Sequence, residues 1–163
     1  MTPASDHPTA GAPPLPEVLG LLAHRYPFLL LDRITALEPG RRATGLKRVT
    51  GTEWFCRQAI VAGGGGPAMP SVLVVEALAQ LSGAVLLGLL DGSASAVGYF
   101  MGLTRVRYRG EARPGDELRL EVTLRQFRRG ICRTYGEAWV GGRRIVRAEL
   151  TTVVRGTRAA DAG

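Results

Sequence analysis

The chain has 163 residues, 45% of them hydrophobic and 21% charged, with 21 Lys+Arg against 14 Asp+Glu for a formal net charge of +7. That length suits one domain with a sizeable core, and the apolar share excludes a chain disordered throughout. Two cysteines, Cys56 and Cys132, without CxxC spacing or clustered histidines, argue against a disulfide framework and a metal site and make the cytoplasm the default expectation.

Residues 1–14, MTPASDHPTAGAPP, are small, polar and proline-rich, with neither a basic leader nor an apolar run. They read as a flexible tail before a domain at 15–155, with 156–163 as a flexible C-terminus. Within the domain, LPEVLGLLAHRYP (15–27) reads as a short helix stopped by Pro27. Phe28–Leu37 and Arg42–Val49 read as two strands about EPGR, where Pro39 and Gly40 supply turn geometry. Residues 51–69 read as irregular; their GGGG run lacks the Gly-Lys-Ser/Thr that follows in a phosphate loop.

Pro70 stands where prolines open helices, and nothing before Asp91-Gly92 breaks the segment strongly. Apolar on nearly every face, this helix needs other structure around it. Its Glu76, Gln80, Ser82, Gly83 and Gly88 favour a buried soluble helix over a membrane span. Downstream the period becomes two: Leu118, Leu120, Val122 and Leu124 alternate with Glu117, Arg119, Glu121 and Thr123. Strands at 131–140 and 143–154 follow, joined by the Gly141-Gly142 hairpin. One long buried helix with about six strands makes an α+β domain whose antiparallel sheet wraps the helix, the hot-dog architecture.

The positive charge is nearly all arginine and attracts acidic partners. Arg105, Arg107 and Arg109 alternate with Val106 and Tyr108, so one strand presents a basic face. The arginines are not interleaved with base-stacking aromatics, and nucleic acid is not expected. Glu76 admits two readings. It is either a carboxylate satisfied by backbone or by Gln80 one turn away, or a carboxylic acid kept protonated by apolar surroundings for acid catalysis. Ser71, Val72 and Leu73 offer amide donors at the helix start, where partial positive charge polarises a carbonyl; the bland alternative is an early-helix serine.

HRYPFLLLDR (24–33), PSVLVVEALAQLSG (70–83), YFMGLTRVRYRGEARPGDELRLEV (99–122) and the RRG turn (128–130) resemble the FabZ-type (3R)-hydroxyacyl-acyl-carrier-protein dehydratases, in order and spacing, from about Leu15 to Val154. The resemblance implies hot dogs paired edge to edge, often as a trimer of dimers, hence a hexamer. It also implies an interface site in which a loop histidine and a helix glutamate eliminate water from a 3-hydroxyacyl thioester. Glu76 matches that glutamate and Gln80 its orienting neighbour. Ser71 and Val72 match the oxyanion region, with Ser71 in place of a glycine, while Tyr99 and Phe100 match aromatics lining or gating the acyl tunnel. Arg107, Arg109, Arg128 and Arg129 are candidates to grip an acidic carrier or its phosphopantetheine arm; no separate cofactor is expected.

The family's loop histidine has no counterpart by spacing: counting from Pro70 lands on Ala62, and from Trp54-Phe55 on Gln58. His7 and His24 are the only histidines, and His24 is not at the family's catalytic position. Cys56 has no histidine to activate it as a substitute nucleophile. The leading expectation is therefore a dehydratase-like subunit that lends Glu76 to a composite site with a histidine-bearing hot-dog partner, in fatty-acid or polyketide assembly. A self-sufficient dehydratase, isomerase or thioesterase with an atypical site, and a non-catalytic carrier-binding module, are the alternatives.

Overall fold

In the computed structural model, residues 15–56, 66–87 and 96–156 are described. The tail at 1–14, the C-terminus beyond 156, Gln58, Ala62 and most of the GGGG run lie outside the described residues. Helix α1 (Leu15–Leu21) leads to strands β1 (Arg33–Glu38) and β2 (Arg42–Arg48), then helix α2 (Ser71–Leu87), and then β3 (Ala96–Tyr108), β4 (Glu117–Arg128), β5 (Ile131–Val140) and β6 (Arg143–Gly156). The six strands form one antiparallel sheet in the order β1-β2-β4-β5-β6-β3. This is the α+β, helix-against-sheet arrangement expected from the sequence.

Alternation explains the inner face. Leu118, Leu120 and Val122 of β4, Ala138 of β5, and Ala148 and Leu150 of β6 share one buried core with α2, whose Leu78 and Leu81 are fully enclosed. Helix and sheet approach closely where β5 carries no side chain: a Cβ on Gly136 would stand 3.2 Å from Leu78. One polar pair crosses this interface. Ser82 Oγ donates to Leu78 O at 2.9 Å and lies 3.0 Å from Thr134 Oγ1, with both side chains buried. Gly141 and Gly142 take φ of 53° and 80°, the left-handed pair that a two-residue hairpin needs.

β6 runs to Gly156, two residues past the expected strand end at 154 and one into the segment expected as a flexible C-terminus, and two further boundaries differ from the sequence reading. α1 ends at Leu21, well before Pro27, and Arg25 Nη1 donates to Leu22 O at 2.6 Å just past its end. β1 begins at Arg33 rather than Phe28, because Phe28 O and Leu30 N are taken by the side-chain amide of Gln80 and not by a neighbouring strand.

Lys47 faces inward on β2, and its ammonium meets Glu53 at 2.6 Å and Asp32 at 3.2 Å. Burial pulls its pKa down, but the Glu53 hydrogen bond and the Asp32 charge outweigh that and hold it above the usual 10.5. A lysine raised on folding stabilises fully below its unfolded pKa, and the contribution fades as pH climbs through the folded value. Lys47→Met should cost about 3 kcal/mol near neutrality, since two carboxylates lose their shared partner. The gap from wild type should shrink above pH 10.5, as thermal melts across pH would show.

Candidate active site

The site begins with the face of α2 that carries Glu76, Ala79, Gln80, Gly83 and Leu86, positions that a 3.6-residue repeat brings to one side. With Leu21 to His24 after α1, Gly98 and Phe100 of β3, and Thr152 and Val154 of β6, this face walls a cavity of about 360 Å³. That is large enough for a small ligand. Its lining is mainly apolar, with Glu76, Gln80, His24 and Thr152 as the polar side chains.

Glu76 is not enclosed as its apolar neighbours suggested: about a third of its side chain is exposed. Gln80, 2% exposed, fixes it. Gln80 Oε1 accepts from Leu30 N at 2.9 Å, while Nε2 donates to Phe28 O at 2.7 Å and to Glu76 Oε1 at 2.9 Å. The two backbone contacts settle which end of the amide is nitrogen, so the N–H must face the carboxylate. The same amide ties the 28–30 segment to the helix. The orienting contact expected between Gln80 and Glu76 is therefore present, reinforced by two bonds that periodicity could not reveal.

His24 is the residue that sequence reasoning set aside. It follows α1, and its Nε2 lies 3.5 Å from Glu76 Oε1. Its Nδ1 is buried without a hydrogen-bond partner among the described residues, which leaves Nε2 as the nitrogen that meets the cavity. A histidine thus stands at the carboxylate within one chain. The signal available beforehand was thin: His24 is the only histidine of the domain, but nothing in the sequence measures its distance from a residue 52 positions away.

The other expected site residues divide. Phe100 lines the cavity and Tyr99, next on the strand, does not. At the start of α2, Leu73 N and Val74 N both donate to Pro70 O. Among the described residues this leaves the Ser71 and Val72 amides as the donors without a backbone acceptor. Met69 N donates to Ala112 O at 2.8 Å, which places the helix start beside the segment that follows β3.

Arg105, Arg107 and Arg109 are all exposed while Val106 packs against the core, so the expected basic face is present, interrupted by one irregularity. The register shifts between Thr104 and Arg107, and Arg105 takes a φ of 52° to pair with Glu149 at 2.7 Å. Arg107 and Arg109 are exposed at the end of β3 that leads to Ala112, the bridge partner of Met69 just before α2. Arg128 and Arg129 occupy the opposite end of the sheet: Arg128 pairs Ile131, which pairs Val153, whereas Arg107 pairs Arg147. The stretch of β6 between Val153 and Arg147 separates the two arginine pairs by roughly 20 Å along the sheet at 3.3 Å per residue. Cys56 is buried, and that burial, then the charge of Glu53, pushes its thiol up; burial alone raises Cys132 to about 11. Neither is a nucleophile at neutral pH. Among the described residues there is no cluster able to hold a metal ion, and no helix is long and apolar enough to cross a membrane.

Comparison with known proteins agrees with this geometry. Residues 22–149 match the family model of the FabA-like domain. The chain is 44% identical over 137 residues to the 3-hydroxyacyl-[acyl-carrier-protein] dehydratase FabZ of Syntrophotalea carbinolica, covering 84% of this chain and 91% of that one. It is 46% identical over 134 residues to FabZ of Roseiflexus castenholzii, covering 82% and 91%. Among solved structures, the dehydratase heterocomplex ApeI:P from Xenorhabdus doucetiae superposes with a TM-score of 0.69 at 21% identity, covering 86% of this chain and 91% of that one, a likeness of fold.

Proposed function

Because the chain belongs to the FabA-like family of hot-dog dehydratases, we propose that it removes water from 3-hydroxyacyl thioesters presented on the phosphopantetheine arm of an acyl carrier protein, in fatty-acid or polyketide assembly. The observation that carries this reading is Glu76, a fixed carboxyl group on the wall of an otherwise largely apolar cavity.

Elimination breaks the C2–H bond, whose electron pair becomes the new C2–C3 π bond as the C3–O bond breaks, and the departing hydroxyl takes up a proton. Glu76 supplies that proton, oriented by the Gln80 N–H. The Ser71 and Val72 amides suit the thioester oxygen as it gains charge. An apolar chain runs past Gly83, two helical turns and about 10 Å from Glu76. Arg107 and Arg109 share the α2 end of the sheet, which supports assigning the carrier contact to them rather than to Arg128 and Arg129.

Gly83 then limits chain length. A Cβ there would meet only Leu22 Cδ2, at an ordinary 3.6 Å, so Gly83→Ala should fold and gain up to about 1 kcal/mol from helix propensity. Gly83→Leu projects three further carbons into the cavity. It should lower kcat/KM for long acyl chains at least about tenfold while sparing short ones, by analogy with the 1–3 kcal/mol that a mismatched methylene is worth. A chain-length series on both variants checks this.

A second reading retains a partner. Ala62 and Gln58 stand where counting expects the family's loop histidine. Among the described residues β3 has no neighbour on its outer edge, where Tyr99, Met101 and Leu103 are exposed, as is Val72 on α2. An edge of this kind suits a second hot dog, either another copy or a histidine-bearing homologue. The deciding experiment gives the purified chain a series of 3-hydroxyacyl-carrier thioesters and follows products by mass spectrometry. Enoyl thioester from the chain alone supports the self-sufficient dehydratase. Product only on co-expression with a histidine-bearing homologue supports the composite site, and free acid would point to a thioesterase.

A further inference from the structure

Resting on the dehydratase reading, we infer that His24 is the general base of this site, so that one chain carries both halves of the acid–base pair. Three observations converge. His24 Nε2 lies 3.5 Å from Glu76 Oε1. Both residues line the same cavity, together with Gln80 and Phe100. The other imidazole nitrogen is buried and unpartnered among the described residues, so only Nε2 is available to a bound substrate.

The separation is longer than a direct hydrogen bond. That is common for catalytic pairs without substrate, which tighten in the Michaelis complex. The C2 hydrogen and the C3 hydroxyl of a 3-hydroxyacyl thioester sit on adjacent carbons, so a base and an acid side by side address both at once. Nε2 takes the C2 proton, the C–H electron pair forms the double bond, and the hydroxyl leaves as water with the proton from Glu76. The pair is left as imidazolium and carboxylate. Transfer of one proton from Nε2 to Oε1 restores the starting state without exchange with bulk solvent.

The segment that bears His24 is held for this task. Arg25 Nη1 donates to His24 O at 2.8 Å and to Leu22 O at 2.6 Å, and a few residues on Gln80 grips Phe28 and Leu30. Glu76 and the segment that carries His24 are therefore both anchored through Gln80.

The test compares wild type with His24→Gln and His24→Ala, using 3-hydroxyacyl-carrier thioesters, with melting temperature as the fold control. Gln keeps a hydrogen-bonding group beside Glu76 but cannot accept the C2 proton. The expected result is a fall in kcat of about 10²–10⁴-fold, KM and melting temperature close to wild type, and recovery of at least about tenfold when imidazole is supplied to His24→Ala. His24→Gln within about threefold of wild type would overturn the assignment while leaving Glu76 as the acid. So would wild-type chain that is silent alone yet active with a histidine-bearing homologue. Wild-type chain that dehydrates no thioester in either setting would overturn the dehydratase reading itself.

Discussion

Glu76→Gln should reduce turnover by about 10³-fold, in the range expected for loss of a general acid, with a melting temperature unchanged within a few degrees. The fold is spared because the glutamine keeps the length of the side chain, and its carbonyl can still accept the Gln80 N–H that now reaches Glu76 Oε1 at 2.9 Å. What disappears is the proton for the departing hydroxyl, since an amide cannot donate one to a leaving oxygen and be left as a stable anion at neutral pH. Glu76→Asp separates position from chemistry. It keeps the carboxyl group but withdraws it by one methylene, and a displacement of that size should cost about 10². Steady-state kinetics on carrier-bound substrate beside calorimetric melts checks both; Glu76→Gln with near wild-type turnover would remove the carboxyl group from the mechanism.

The largest effect on stability should come from Gln80→Leu. Leucine matches the volume of the buried side chain but removes three hydrogen bonds together, to Leu30 N, Phe28 O and Glu76 Oε1. Two backbone groups are left without their partner, each costing about 1–3 kcal/mol, so a total near 4 kcal/mol and a fall of roughly 10 °C in melting temperature are expected. Gln80→Glu should do no better: it can still accept from Leu30 N but offers no donor to Phe28 O, and it places a second carboxylate one turn from Glu76. In both variants activity should fall further than stability accounts for at assay temperature, because the amide also fixes the carboxylate and the loop after His24. A melting temperature unmoved by Gln80→Leu would show that residues 28–30 are held by other means.

Much of the fold was readable because most strands answer to short-range rules. The period-two burial of Leu118, Leu120 and Val122, the glycine pair at 141–142 and the proline before α2 each act within a few residues, and the structure follows them. The start of β1 was not readable for the opposite reason. Residues 28–32 carry strand-forming side chains, but their backbone is diverted by one glutamine 50 positions along the chain. Periodicity predicted one basic face from Arg105 to Arg109, and the structure keeps it despite a register shift, because Val106 still packs inward. For the site, Glu76 announced itself as a carboxylate in an apolar helix. His24 did not, since its role depends on where the end of α1 is laid over α2.

The Ser82–Thr134 hydroxyl pair bears on direction more than on strength. α2 is apolar almost all the way round, so burying it rewards many rotations about its axis nearly equally. A hydroxyl pair inside that contact reduces the degeneracy, because turning the helix or sliding it by a turn would break the Thr134 hydroxyl's bond to Ser82, which would keep only its bond to Leu78 O. The pair therefore works as a compass for the helix: with Ser82 aimed at β5, Glu76 and Gln80 come round to the side where His24 waits.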